Sequence, residues 1–381
     1  MASEGLTRRG FGAALGTAAG AVLLEGVVTP RFAEARLRRG MAPDTIQLNA
    51  NECPYGPSPA ARAAMTRSQE VAARYPGDLE EDARVAVARL HGVRPDQVVL
   101  GCGSGEILRI ADAAFTRPDR TVVVAEPTFE AVLDYAKVTR APAVKVPLDG
   151  EFRTDLARMA EACDARTGLV YLCNPNNPTG TVVSGDELLG FLKRVPASVT
   201  IVLDEAYHHF VEDPSYRSGF EYLAGCPNLV VVRTFSKVYG MAGMRLGYAV
   251  ASPELAATLG SHAVRNNANA AVLAAAIASL ADEALEPRVR RLMNDTRRWL
   301  VEQLLAEGRR VIPSQANFVM FETGRDVKPV VAAFAERGIL VGRRFASMPT
   351  WLRVSIGTPD EMKAFLAALR VVVPAGGRAV A

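Results

Sequence analysis

Histidine and cysteine are scarce: of 381 residues, 4 are His and 5 are Cys. None of the histidines falls in an H-E-x-x-H string, and Cys53, Cys102, Cys163, Cys173 and Cys226 form no C-x-x-C pair. Neither a zinc site nor a disulfide framework is therefore expected, and no metal ligand is assigned. An excess of charge of one sign is also missing, since 44 basic residues face 41 acidic ones, and no Lys/Arg run alternates with aromatics as a nucleic-acid groove requires. The G-x-x-x-x-G-K-[ST] string of a P-loop ATPase is absent, as is any internal repeat. What is present is enough apolar sequence for a large core, a length typical of two domains, and a composition suited to a small-molecule ligand.

The N-terminus differs from the rest. Thr7-Arg8-Arg9-Gly10-Phe11 leads into a Gly/Ala-rich apolar stretch to Leu24, followed by Ala33-Glu34-Ala35, an A-x-A-like cleavage site. The apolar run is too short for a membrane span. Residues 1–35 resemble a twin-arginine export signal, which implies a periplasmic protein; without that signal the chain would be cytoplasmic. Residues 36–70 are Pro-rich and irregular and read as an arm joining the smaller domain.

From about 95 to 251, β-branched runs alternate with stretches of helical period, the pattern of βαβ units and a mostly parallel sheet. Seven strands are expected, at 97–101, 121–125, 143–146, 168–172, 200–203, 229–234 and 246–251, within a large α/β domain over 71–265. After Ala268 the pattern changes to an Ala-rich helix, a long amphipathic helix over 290–307, and strands near 317–322 and 351–356. These suggest a smaller α+β domain over 266–381.

In open α/β sheets ligands bind beyond the carboxyl ends of the strands, so the polar residues directly after each strand are informative. The first strand runs into Gly103-Ser104-Gly105-Glu106 and a helix, a turn that lets backbone amides approach a phosphate. The fourth ends in Asn174-Pro175-Asn176-Asn177-Pro178, the fifth in Asp204-Glu205-Ala206-Tyr207, and the sixth in Phe235-Ser236-Lys237, with Arg245 eight residues on. One crevice would thus receive a phosphate turn, an amide, a carboxylate, a phenol, a serine, a lysine and an arginine. A phosphorylated, aldehyde-bearing pyridine such as pyridoxal 5′-phosphate requires such a set. Lys237 would condense with the aldehyde, Asp204 would pair with the ring nitrogen, and Tyr207 and Asn177 would bond the ring oxygen. Ser104, the backbone near Gly105, Ser236 and Arg245 would hold the phosphate, and Phe129 either stacks on the ring or is a core aromatic. A rival is an S-adenosylmethionine-dependent methyltransferase, built on the Gly103 turn with Glu126 as the ribose acid, which leaves Asp204, Lys237 and Arg245 idle.

The ordered motifs, from Leu48-Asn49-Ala50-Asn51-Glu52 and Arg74-Tyr75-Pro76 through Asn177-Pro178-Thr179-Gly180 and Ser236-Lys237 to Ala316-Asn317-Phe318 and Leu352-Arg353-Val354-Ser355-Ile356-Gly357, resemble the class I/II aminotransferases of fold type I. Among these they are most similar to the histidinol-phosphate aminotransferases. The resemblance covers nearly all of the chain after the N-terminal segment. It implies amino transfer from an amino acid or amino alcohol phosphate to a 2-oxo acid such as 2-oxoglutarate, with a decarboxylase, lyase or cyclase of the same fold as the alternative. It implies a homodimer in which Tyr75 reaches the partner's cofactor phosphate. Arg353 would clamp the substrate carboxylate, and Arg343, Asn317 and Tyr55 are further substrate-side candidates. Three departures bear on the substrate: Gly105 stands where many relatives carry Asp, Phe129 replaces Tyr, and Gly342 takes the place of a phosphate-binding arginine, with Arg343 beside it.

Arg8→Lys/Arg9→Lys is expected to shift the protein from the periplasmic to the cytoplasmic fraction. An unchanged distribution on cell fractionation would remove the export assignment.

Overall fold

The computed structural model describes residues 45–374, so the twin-arginine segment lies outside the described residues. After β1 (Ile46–Leu48), the seven β-branched runs become β2 (Val98–Gly101), β3 (Thr121–Glu126), β4 (Ala143–Pro147), β5 (Thr167–Cys173), β6 (Thr200–Asp204), β7 (Leu229–Thr234) and β8 (Gly247–Val250). They form one sheet in the order β2-β8-β7-β6-β5-β3-β4. The run from β7 through β6, β5 and β3 to β4 is parallel, and β8 lies antiparallel to both of its neighbours. The expected mostly parallel α/β sheet is present, with the reversal at β8 as the added detail.

These strands are apolar throughout because both faces are covered. Alternate residues enter separate clusters: Val122, Val124, Val202, Val230 and Val232 pack on one face, and Val123, Ile201, Leu203, Leu229 and Val231 on the other. Each of these side chains is at most 1% exposed, and burial of one is worth roughly 1.5–3 kcal/mol. A one-residue slip would exchange the two sets and carry every strand-end side chain to the wrong face. Only the edge strand β4 is open, with four of its five residues exposed.

The later residues build a smaller antiparallel sheet from β9 (Val311–Ile312), β10 (Phe318–Glu322) and β12 (Trp351–Ser355), in the order β12-β10-β9. Between them β11 (Ile339–Val341) pairs in parallel with β1. The strands expected near 317–322 and 351–356 are β10 and β12. β1, β9 and β11, of three, two and three residues, are too short to give a periodic signal. The amphipathic helix expected over 290–307 runs from Leu285 to Ala306; Pro287 lies in its first turn, where a missing backbone N–H leaves no bond unmade. The Ala-rich helix Ala270–Leu280 packs against the helices Pro59–Arg67 and Gly77–His91. Among the described residues no helix is long and apolar enough to cross a membrane.

Candidate active site

Strand parity decides which side chains meet beyond the sheet. Asp204 follows Val202 by two residues, and Tyr171 and Cys173 share that face on the neighbouring strand, with Cys173 in register with Asp204. The carboxylate of Asp204, 3% exposed, accepts the Tyr171 hydroxyl at 2.9 Å on Oδ2 and the Ala206 N–H at 3.0 Å on Oδ1. Burial pushes its pKa up to about 6, against the two hydrogen bonds and the Lys237 charge.

Asp204 and Lys237 line the same cavity, of about 370 Å³. Lys237 sits three residues past β7, and its Nζ donates to the carbonyls of Asn51 at 2.9 Å and Ala50 at 3.3 Å. Burial, reinforced by the Arg353 charge, lowers its pKa to about 8, although Glu52 and Asp204 pull the other way. The amine is thereby within reach of its neutral, nucleophilic form near physiological pH.

Tyr207 completes this wall. Its phenol oxygen accepts Nδ2 of Asn177 at 3.2 Å and Nδ2 of Asn51 at 3.1 Å, and its ring packs edge-on against Phe318. Asn177 Oδ1 accepts Arg353 Nη1 at 2.6 Å, while Arg353 Nη2 donates to the Asn49 carbonyl at 2.9 Å. Arg353 Nε is buried with no partner, a free donor on a guanidinium suited to a carboxylate.

The opposite end of the cavity is built for an anion. The helix Ser104–Phe115 begins there with Ser104 and Gly105 on the lining, and no side chain caps its first N–H groups. Two glycines permit the approach. A Cβ on Gly103 would lie 2.1 Å from Arg245 Nη2, and one on Gly247 would lie 2.3 Å from the Ser104 nitrogen. Arg245 Nη1 also donates to Ser236 Oγ at 3.3 Å, which gathers a hydroxyl, a guanidinium and a helix N-terminus at one point. A phosphate at this end, a protonated ring nitrogen at Asp204 and an aldehyde at Lys237 match the donor set group for group.

Phe129 lines the cavity and is 38% exposed, so it is not a core aromatic. Tyr75 is 86% exposed, two residues before the helix that begins at Gly77. Arg343 does not reach the cavity: it is exposed, pairs with Glu130 and covers the Phe345 ring at 4.4 Å. Asn317 donates from Nδ2 to the Asn51 carbonyl at 2.9 Å, and Tyr55 packs half-buried on the core. Glu126, the acid of the methyltransferase alternative, is tied to Lys145 at 2.9 Å. Two residues at the site carried no role in the sequence. Tyr171 is hidden inside an apolar strand, where only its spacing of two from Cys173 marks its face. Asn51 stands within the Leu48–Glu52 motif, and its φ of 55° is a left-handed conformation that Asn tolerates better than most residues. Behind the site Arg233 and Glu205 form a buried ion pair with contacts of 2.8 and 3.0 Å, which holds the residue next to Asp204.

A profile of the family described as aminotransferase class I and II matches residues 43–369. A histidinol-phosphate aminotransferase from Moorella thermoacetica is 39% identical over 87% of this chain and 86% of its own length. An aromatic amino acid aminotransferase from Cutibacterium acnes is 37% identical over 87% of this chain and 93% of its own. The crystal structure of histidinol-phosphate aminotransferase from Sinorhizobium meliloti in complex with pyridoxal-5′-phosphate superposes with a TM-score of 0.82, at 27% identity over 92% of this chain and 96% of that one.

Because the Lys237 pKa is lower folded than the ordinary 10.5, the unfolded chain binds the extra proton between about pH 8 and 10.5, and stability should rise with pH across that window. Lys237→Met in the ligand-free protein is expected to be more stable than wild type at pH 7, by on the order of 2–3 kcal/mol. The difference should shrink by pH 9.5. Urea midpoints at the two pH values test this, and a difference independent of pH would contradict it.

Proposed function

The chain belongs to the class I and II aminotransferases, and from that premise we propose that it moves an amino group from a histidinol-phosphate-like donor, an amino acid or amino alcohol phosphate, to a 2-oxo acid such as 2-oxoglutarate. It is a pyridoxal-5′-phosphate-dependent enzyme. The observation that carries the assignment of roles is the shared cavity of Lys237 and Asp204. Bound there, the cofactor supplies an electron sink for the charge left when the substrate Cα loses its proton. Lys237, its charge disfavoured by burial, takes that proton and returns it. Asp204 keeps a proton at the ring nitrogen, its carboxylate held by Tyr171 and Ala206. Ser104, Gly105, Ser236 and Arg245 retain the phosphate, Phe129 covers a ring face, and Arg353 takes the substrate carboxylate or its equivalent with the help of Asn177.

A second donor class, the aromatic amino acids, is favoured by one observation. Gly342 stands at the place of the phosphate-binding arginine, and the adjacent Arg343 is already engaged by Glu130 and Phe345. The Cutibacterium acnes relative carries that activity in its name.

The functional unit is proposed to be a homodimer. Tyr75 and Val264, 86% and 65% exposed, support this, as does a second groove of about 530 Å³ that includes Gly105 and Tyr135 beside the anion end together with Val264. A partner's Tyr75 entering such a groove would add a hydroxyl to the phosphate shell. Export by the twin-arginine route is proposed for the same chain on the strength of Arg8 and Arg9.

The purified protein should be yellow, and histidinol phosphate should bleach the visible band at concentrations at which aromatic amino acids do not. Bleaching by aromatic amino acids alone would transfer the assignment to the second class, and a protein that takes up no colour with added pyridoxal phosphate would defeat both. Sedimentation should give about twice the mass of one chain; a monomer with full activity would exclude the shared site.

A further inference from the structure

The hydroxyl proton of Tyr207 has no free choice of direction. Asn177 and Asn51 both present an amide to the phenol oxygen, and each amide is locked by a donor on its own oxygen. Arg353 Nη1 bonds Asn177 Oδ1 at 2.6 Å, and Ser355 Oγ bonds Asn51 Oδ1 at 3.1 Å. Ser355 is committed in turn, because its oxygen accepts the Asn51 backbone N–H at 2.8 Å, leaving its own hydrogen for Oδ1. Neither amide can turn over without placing its NH₂ against a donor, so both nitrogens stay on Tyr207, at 3.2 and 3.1 Å. Phe318 stands edge-on to the ring with centroids 5.1 Å apart and limits its movement. The phenol oxygen thus receives two N–H donors, and among the described residues its hydroxyl gives its proton to no protein oxygen. One side remains open, the cavity that Tyr207 lines.

We infer that Asn51 is a positioning residue which, with Asn177, aims the Tyr207 hydroxyl proton into the cofactor cavity. The inference rests on the cofactor assignment above and adds to it a residue from the N-terminal arm whose side chain reaches the reaction only through Tyr207, its carbonyl being the one that Lys237 Nζ bonds. It accounts for the identity of the residue. Glycine would satisfy the left-handed backbone at φ 55° more easily, but it has no amide to give. Aspartate keeps the shape, yet its ionised side chain only accepts and would draw the proton away from the cavity. A proton aimed at the cofactor ring oxygen stabilises the charge there, so its loss should raise the pH at which the bound cofactor changes colour.

The test uses the loaded protein and reads the pH midpoint of its visible absorbance. Asn51→Gly, which keeps the backbone conformation and leaves the main-chain N–H for Ser355 and the carbonyl for Lys237 and Asn317, is expected to raise the midpoint by roughly half a pH unit, the equivalent of part of one hydrogen bond. Tyr207→Phe should raise it further, and adding Asn51→Gly to Tyr207→Phe should give no additional shift. Ser355→Ala, which unlocks the Asn51 amide, should move the midpoint the same way by less, and it serves if Asn51→Gly does not fold. An unmoved midpoint in the single variants, or an undiminished Asn51→Gly effect in the Tyr207→Phe background, overturns the inference while the cofactor assignment stands. A colourless wild type takes both down.

Discussion

Asp204 and Arg353 lie where water is scarce, and each must therefore find its partners within the protein. An unpaired buried charge costs several kcal/mol, more than most single contacts supply. Asp204 meets the requirement with a phenol and a backbone amide, Lys237 with two peptide carbonyls and Arg353 with an amide and a third carbonyl. The arrangement is not neutral. Burial works against both charges, lifting the acid and lowering the base, so the two groups are brought near each other in proton affinity. The roles proposed for them, a proton carrier and an acid beneath a ring nitrogen, need that poise, and it follows from burial rather than from any unusual residue.

The sheet supplies the rigidity behind these contacts. Covered on both faces, β5, β6 and β7 hold their end residues in fixed register, and the buried Arg233–Glu205 pair anchors the turn that follows Asp204. The arm supplies what the sheet cannot. Pairing of β1 with β11 delivers Asn49, Ala50 and Asn51 as backbone carbonyls over the mouth of the cavity, a task for which side-chain identity matters little except at Asn51.

Much of this could be read from the chain because chemistry follows directly after each apolar run. Lys237, Asp204, Asn177 and Ser104 are adjacent to strands whose composition is unambiguous, and the positions of the seven strands need no tertiary information. The direction of β8 was not legible, since an apolar run carries no sign of which way it lies. Tyr171 was not legible as an acid's partner, because a tyrosine among valines and leucines reads as core until strand parity is known. Asn51 was visible as part of a motif but not as a group with a task, because its partners are far away in sequence. Arg343, a substrate-side candidate by its place beside Gly342, stands exposed against Glu130 and the Phe345 ring, contacts that its sequence neighbours do not announce.

The bonds that join Asn51 to Ser355 and Arg353 to Asn49 each span 304 residues. A chain emerging from the ribosome has the whole seven-stranded sheet long before β12 exists, so the sheet can assemble while the catalytic pocket still lacks one wall. Completion of the pocket is in effect a record that both distant ends have arrived, and tight retention of the coloured cofactor would mark molecules whose synthesis and folding have finished.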